Sequence, residues 1–519
     1  MIQFQQKQNT LNEHRARSVP RFSACTIRCF ASFVFVLSTV LFRTGFAQVQ
    51  GQVQITADQQ IGSGDKVRFI GHFRFQNGSI YGKADSAIQY PKQNLIDCYG
   101  DVLIRQDTLS VEAPFVHYDG NTRIARAENG VKFSDRDANI TSRWATYDMN
   151  VQRADFHEFV RAIQEKTILT SNDLTYFRST QTSIARGNVF VKSDSGTLKA
   201  DEVTNAKTTG ETIARGNVDA RNDSLIIFSS YLYDSKPLGL LTASGNVQAY
   251  SIQNNTIQFG DTLARFSKLG YSIVPKNPLL FIIDSSQKTD SLTGKLVIAF
   301  DTLRIKSLVM EAYQGDSAHF IATDSVKLFR SNFSAIGGKL YYSQQDSIMR
   351  IYGNKKQNMW YDSTEIDGDS IVTYQKERKL DHVIAFGHAF ATDPYKDSTV
   401  TGRINQLSSQ KMTLYVAKDT VRTLLAVDNA LSIYFISSDN KPSGFNRSSG
   451  DSLRIDFDNN SPQRVVVLSG TEGEFWPERF VKDRGAAFRL GNYERHIELR
   501  PKKEDLVLSW TPKEFVLKP

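Results

Sequence analysis

The chain has 519 residues, 40% apolar and 23% charged, the balance of a folded protein with room for several domains or one long array. Its net charge of +8 gathers at the start, where residues 1–47 carry Lys7, Arg15, Arg17, Arg21, Arg28 and Arg43 against Glu13 alone. From residue 48 onward 57 basic and 54 acidic residues are interspersed, a net of +3, which excludes the concentrated basic face that nucleic acid requires.

The first predicted element is an export signal over residues 1–47. A basic leader ends at Arg28, an uncharged run covers 29–42, and Gly45 and Ala47 form a small-x-small cleavage site before Gln48. The run falls short of the roughly 20 residues that span a bilayer. An uncleaved membrane anchor is the alternative. Cys25 and Cys29 lie within this segment, leaving Cys98, which alone can form neither an internal disulfide nor a zinc site. It reads as a small core residue.

Residues 48–265 are predicted to be a β-repeat region. Gly71, Gly100, Gly130, Gly187, Gly216 and Gly245 recur at steps of 29, 30, 57, 29 and 29 residues. The step of 57 hides one degraded copy near His157-Glu-Phe-Val160. After each glycine come alternating apolar residues, then a polar turn such as Ser134-Asp-Arg-Asp137, then a second alternating segment. Apolar residues two apart share one face of a strand. Each unit is therefore a pair of short strands with one apolar face, too small to bury that face until copies stack. The glycines mark a recurring sharp corner.

Residues 266–312 break the register and read as an irregular insertion. Residues 313–470 resume as diverged repeats, with Asp324-Ser-Val326, Gly353, Gly387 and Asp428-Asn-Ala430 in the corner positions. Residues 471–519, with Trp476 and Trp510, read as a C-terminal cap or tail.

The units Ala185-Arg-Gly-Asn-Val189, Ala214-Arg-Gly-Asn-Val218 and Ala243-Ser-Gly-Asn-Val247, with partners such as Leu198-Lys-Ala-Asp201, resemble the OstA-like family. That family includes the periplasmic bridge of lipopolysaccharide transport and the N-terminal domain of its outer-membrane translocon. The likeness is good over about 65–265 and weaker over 315–435, and it is nearest to the long members found in Bacteroidota. It implies an all-β fold, a solenoid-like antiparallel β-jellyroll or β-taco stack with an apolar groove. The implied ligand is lipopolysaccharide, held by its lipid A acyl chains. The implied partners are other jellyroll proteins of the bridge, joined by edge-strand pairing. The implied place is the periplasm, with association to the outer membrane as an option. The chain has far more units than the short bridge protein and lacks the translocon's long barrel region.

The groove candidates are the aliphatic residues at inward strand positions: Val102, Ile104, Leu109, Val111, Val131, Val189, Val191, Leu198, Val218, Leu225 and Val247. The same residues suit an ordinary core. No nucleophile elbow, phosphate-binding loop, H-E-x-x-H or dinucleotide fingerprint occurs, and the eight histidines are scattered, so neither cofactor nor metal is expected. A recurring Asp-Ser/Thr-apolar pattern (Asp107, Asp223, Asp261, Asp290, Asp301, Asp324, Asp346, Asp369, Asp451) reads as turns and is similar to an O-glycosylation signal of Bacteroidota. Together these features describe a lipid-carrying scaffold rather than an enzyme. The alternative is an exported β-solenoid adhesin or a polysaccharide-active surface protein.

Overall fold

A computed structural model describes residues 54–514 apart from short breaks at 137, 290–295, 344, 377–378, 396–401, 418–419, 439–440, 459–460, 483 and 492. The expected export signal and Asp290 lie outside the described residues. The fold is all-β, and no helix among the described residues is long and apolar enough to cross a membrane. Strands of mostly 11–12 residues follow one another as an antiparallel meander in which each pairs with the one before and the one after.

Every strand in this meander bends near its middle. In the strand Thr182–Ser193 the ladder slips between Arg186 and Val189, and Gly187 and Asn188 take φ of +72° and +49°. Two successive left-handed residues form a bulge that turns the strand while leaving Ala185 and Val189 on the same face. The other glycines of the series, Gly71, Gly100, Gly130, Gly216 and Gly245, all have positive φ. The conformation outlives the glycine, since Glu158-Phe159, Asp324-Ser325 and Asp428-Asn429 hold the same pair of left-handed residues beside a ladder slip. The repeat is thus a backbone geometry that several sequences satisfy, asparagine and aspartate at modest cost.

Because the bends line up from strand to strand, the sheet folds into two walls joined along a ridge. Wall A contains segments such as 182–186 and 202–206, and wall B contains 189–193 and 197–200. Side chains of the inner faces meet across the fold. Phe133 of wall B lies 5.2 Å, ring to ring, from Phe156 of wall A and 6.1 Å from Tyr176. The core falls into two main clusters, one running from Ile55 to Val274 and the other from Leu280 to Val467.

The stretch expected as an irregular insertion, 266–312, carries strands. Leu279–Thr289 and Leu296–Lys306 pair along their full length, yet only 279–282 join the preceding strand and 304–306 the following one. The remainder projects beyond the wall as a two-stranded arm. Arg330 fixes its base with Asp284 at 3.0 Å and Asp301 at 2.6 Å. Of the Asp-Ser/Thr positions, Asp107, Asp223 and Asp346 sit at turns or bends. Asp261, Asp301, Asp369 and Asp451 lie inside strands.

The segment after Glu472–Pro477 runs back along the outer face of wall B as a strap. Arg403, its side chain 1% exposed, grips Glu478 through two bonds of 3.0 and 2.6 Å. The Gln406 amide donates to Phe488 O and accepts from Leu490 N. Further along, His496 N donates to Glu365 and Arg500 to the carbonyl of Asp362. Finally Gln248 exchanges two bonds with the backbone of Lys513. Beneath the strap lie Phe390, Ile433, Phe435 and Phe445 against Val481 and Leu490, and Tyr250, Ile257 and Phe259 against Leu506. Phe390 sits between Ala389 and Ala391, which face the inner core, so strand alternation places it on the outer face.

Candidate functional site

The inner faces of the first eight levels of the stack, one bent strand or its two halves to a level, enclose a groove. Its floor at the ridge is tight, with Phe73, Ala87, Val102 and Val116 each at most 3% exposed. Toward the tips the walls diverge over Phe75, Ile96, Ile104, Leu109, Val111 and Tyr147, leaving about 140 Å³ of accessible space. Strand alternation explains the division of labour. In 102–105, Val102 and Ile104 face inward while Arg105, of opposite parity, is exposed. Polar groups in the lining are confined to a few positions, among them Gln89, Gln106, Tyr118 and Thr146.

Cys98 lines this groove, and burial, with the Asp97 charge second, pushes its thiol up to about 12. It stays a neutral thiol at physiological pH and serves as a small apolar wall residue. Burial likewise raises the Tyr118, Tyr147 and Tyr176 hydroxyls above their ordinary value, so these tips are uncharged. No charged side chain projects into the lining described above. Such a surface can hold hydrocarbon through area burial, about 25 cal/mol per Å², and offers no nucleophile or acid–base pair.

Of the residues expected to line a groove, Ile104, Leu109, Val111 and Val131 border the cavity. Val102 lies in the floor beside it. Val189, Val191, Leu198, Val218, Leu225 and Val247 also face inward, but they belong to the packed core of the following levels, where Val189, Val218 and Val247 are at most 2% exposed. A second, smaller cavity of about 40 Å³ lies between Leu407, Leu424, Ile455 and Val465 near the far end of the stack.

Sequence reasoning missed the aromatic share of the groove, Phe73, Phe75, Phe133 and Phe156. Their parity with the neighbouring valines would have marked them. It also read 134–137 as a polar turn, whereas Asp135 ends a strand, is 1% exposed and is ion-paired with Arg178. Among the described residues no group of three or more His, Cys, Asp or Glu could hold a metal ion.

Residues 50–201 match the family described as OstA-like protein. This is the stretch that builds the groove. A solved structure with some likeness is that of LptH, the LptA-homologous periplasmic component of the conserved lipopolysaccharide transport device from Pseudomonas aeruginosa. It is 19% identical, the overlap covers 21% of this chain and 82% of that one, and the TM-score is 0.20, too slight to carry a conclusion. No curated protein matches the chain.

Proposed function

We propose that this chain, OstA-like over residues 50–201, is an exported scaffold that shelters the acyl chains of lipopolysaccharide on their way between the envelope membranes. The observation that carries the reading is the coincidence of the family match with an apolar groove between two walls. Strands spaced about 4.8 Å apart give eight levels a length on the order of 30 Å, and each methylene taken from water contributes about 0.8 kcal/mol. A carrier needs burial without chemistry, and the lining provides that. The periplasm is the compartment such a role requires. Partners would be other jellyroll proteins, added at the terminal strands Gln59–Ser63 and Ser461–Leu468, each paired on one side only.

The test is site-specific photo-crosslinking. A benzophenone amino acid placed at Ile104 or Val116, facing in, should capture lipopolysaccharide. The same group at Arg105 or Glu112, facing out, should not. Equal labelling from both faces, or none from the inward pair, overturns the proposal.

A further inference from the structure

The groove ends at a buried ion pair. Asp135 closes the strand Val131–Asp135 at the tip of wall B, and Arg178 opens the turn after Thr167–Phe177 at the tip of wall A. The two meet across the mouth of the fold, Arg178 Nε standing 3.1 Å from Asp135 Oδ2. The Asp135 side chain has no exposure and that of Arg178 has 15%. Thr108, from the adjacent turn of wall B, donates to Asp135 Oδ1 at 2.6 Å, and Arg178 Nη2 lies 3.5 Å from that hydroxyl. The Tyr147 hydroxyl of wall A stands beside the guanidinium.

The position of this cluster matters as much as its chemistry. The cavity extends to Phe133 on wall B and Phe156 on wall A. No residue beyond Phe156 lines this cavity, and past the pair the inner faces pack around Ala185, Val189, Ala214, Val218, Ala243 and Val247. Val191, Leu198 and Leu225, nearer the tips, are half-buried against the same core as Ile104 and Val111, yet they do not border this cavity.

Joining two apolar walls does not need charge. Dehydrating a carboxylate and a guanidinium costs about what their attraction returns, and well-packed hydrophobic residues do the same job as well or better. What the pair does that a leucine cannot is refuse hydrocarbon, because an alkyl chain inserted between the charges would strip them of their partners. We propose that Asp135 and Arg178, braced by Thr108, form a bulkhead that ends the deep groove. An acyl chain is held on the near side and advances along the stack only when the pair parts. The inference rests on the carrier reading and makes Asp135 and Arg178 positioning residues that set how far a chain enters.

The test uses the full chain with a benzophenone amino acid at Ile104, on the near side, or at Leu198, on the far side. Lipopolysaccharide and palmitate serve as separate probes. The wild-type protein should form adducts at 104 and few at 198. The double variant Asp135→Leu/Arg178→Leu, which leaves no orphan charge, should raise the yield at 198 several-fold and leave that at 104 unchanged. Thr108→Val, a milder change, should shift the ratio the same way and covers the case in which the double variant does not fold. Equal yields at the two positions in the wild type overturn the bulkhead, as does an unchanged ratio in folded variants. Palmitate captured at 104 alone, with no lipopolysaccharide adduct, sinks the lipopolysaccharide reading and leaves the bulkhead standing. No adduct with either probe sinks both.

Discussion

Replacing Gly216 by alanine isolates the energetics of one corner. Gly216 has φ of +71°, a conformation that costs an L-residue roughly 1–2 kcal/mol. An added Cβ would also stand 2.2 Å from Asp201 Oδ2, so the carboxylate has to move. That movement strains its 3.0 Å bond from Asn217 Nδ2, an exposed interaction contributing about 0.5–1.5 kcal/mol. The sum is about 1.5–3.5 kcal/mol for G216A. Gly78 supplies the control, because its φ is +55° but nothing lies within 4 Å of the place a Cβ would take, leaving only the conformational cost of about 1–2 kcal/mol. The opposite change, Glu158→Gly, relieves a left-handed residue at φ +60° and forfeits only an exposed 3.0 Å bridge to Arg143. It should stabilise by about 0.5–1 kcal/mol. Urea unfolding followed by Trp144 fluorescence reads the first cluster, since the other three tryptophans lie at 360 and beyond. If G216A and G78A lose equal stability, or E158G loses any, the corner is not where the strain lies.

Two further outcomes follow from the strap. Burial raises the Asp367 carboxyl to about 6 in spite of Lys356 at 3.0 Å, so the folded chain holds this proton more tightly than the unfolded one. Stability from this group is therefore present below about pH 4 and is lost as pH climbs through about 6, up to about 3 kcal/mol in all. Thermal unfolding from about pH 4.5 to about 7.5, a window that brackets the raised carboxyl, should show this trend, and Asp367→Asn should flatten it. An unchanged slope in the variant refutes the assignment. Phe390→Ala, which opens a cavity between wall B and the strap, should cost about 3–5 kcal/mol and expose the strap to limited proteolysis near Val481. Wild-type cleavage kinetics in that variant would show that the strap is held by its ends alone.

The corners were legible because Gly-Asn is one of few pairs that accept two left-handed residues in succession, and three of the six glycines are followed by asparagine. The register followed from period-two alternation. What stayed hidden is instructive. Where the strap lies, strands are buried on both faces, and the runs Asn358-Met-Trp-Tyr361 and Ala389-Phe-Ala-Thr392 lose their alternation. That loss, unremarked at the sequence level, is the signature of two-sided burial. The bulkhead could not be read at all. Asp135 and Arg178 are 43 residues apart in segments that each look like a polar turn, and only the folding of the sheet into two walls brings them together.

The strap also orders events during biosynthesis. The early levels present Arg74, Lys132, Lys192 and Lys199 on the outside of wall B, so each can settle as it emerges, its wet side finished. The later levels present Phe390, Phe435 and Phe445 there, and their cover is encoded after them. Until residues 478–514 arrive, this half carries a bare aromatic flank, the kind of surface that draws chaperones or aggregates. A chain cut short of Glu478 would leave one half of the molecule finished and the other adhesive.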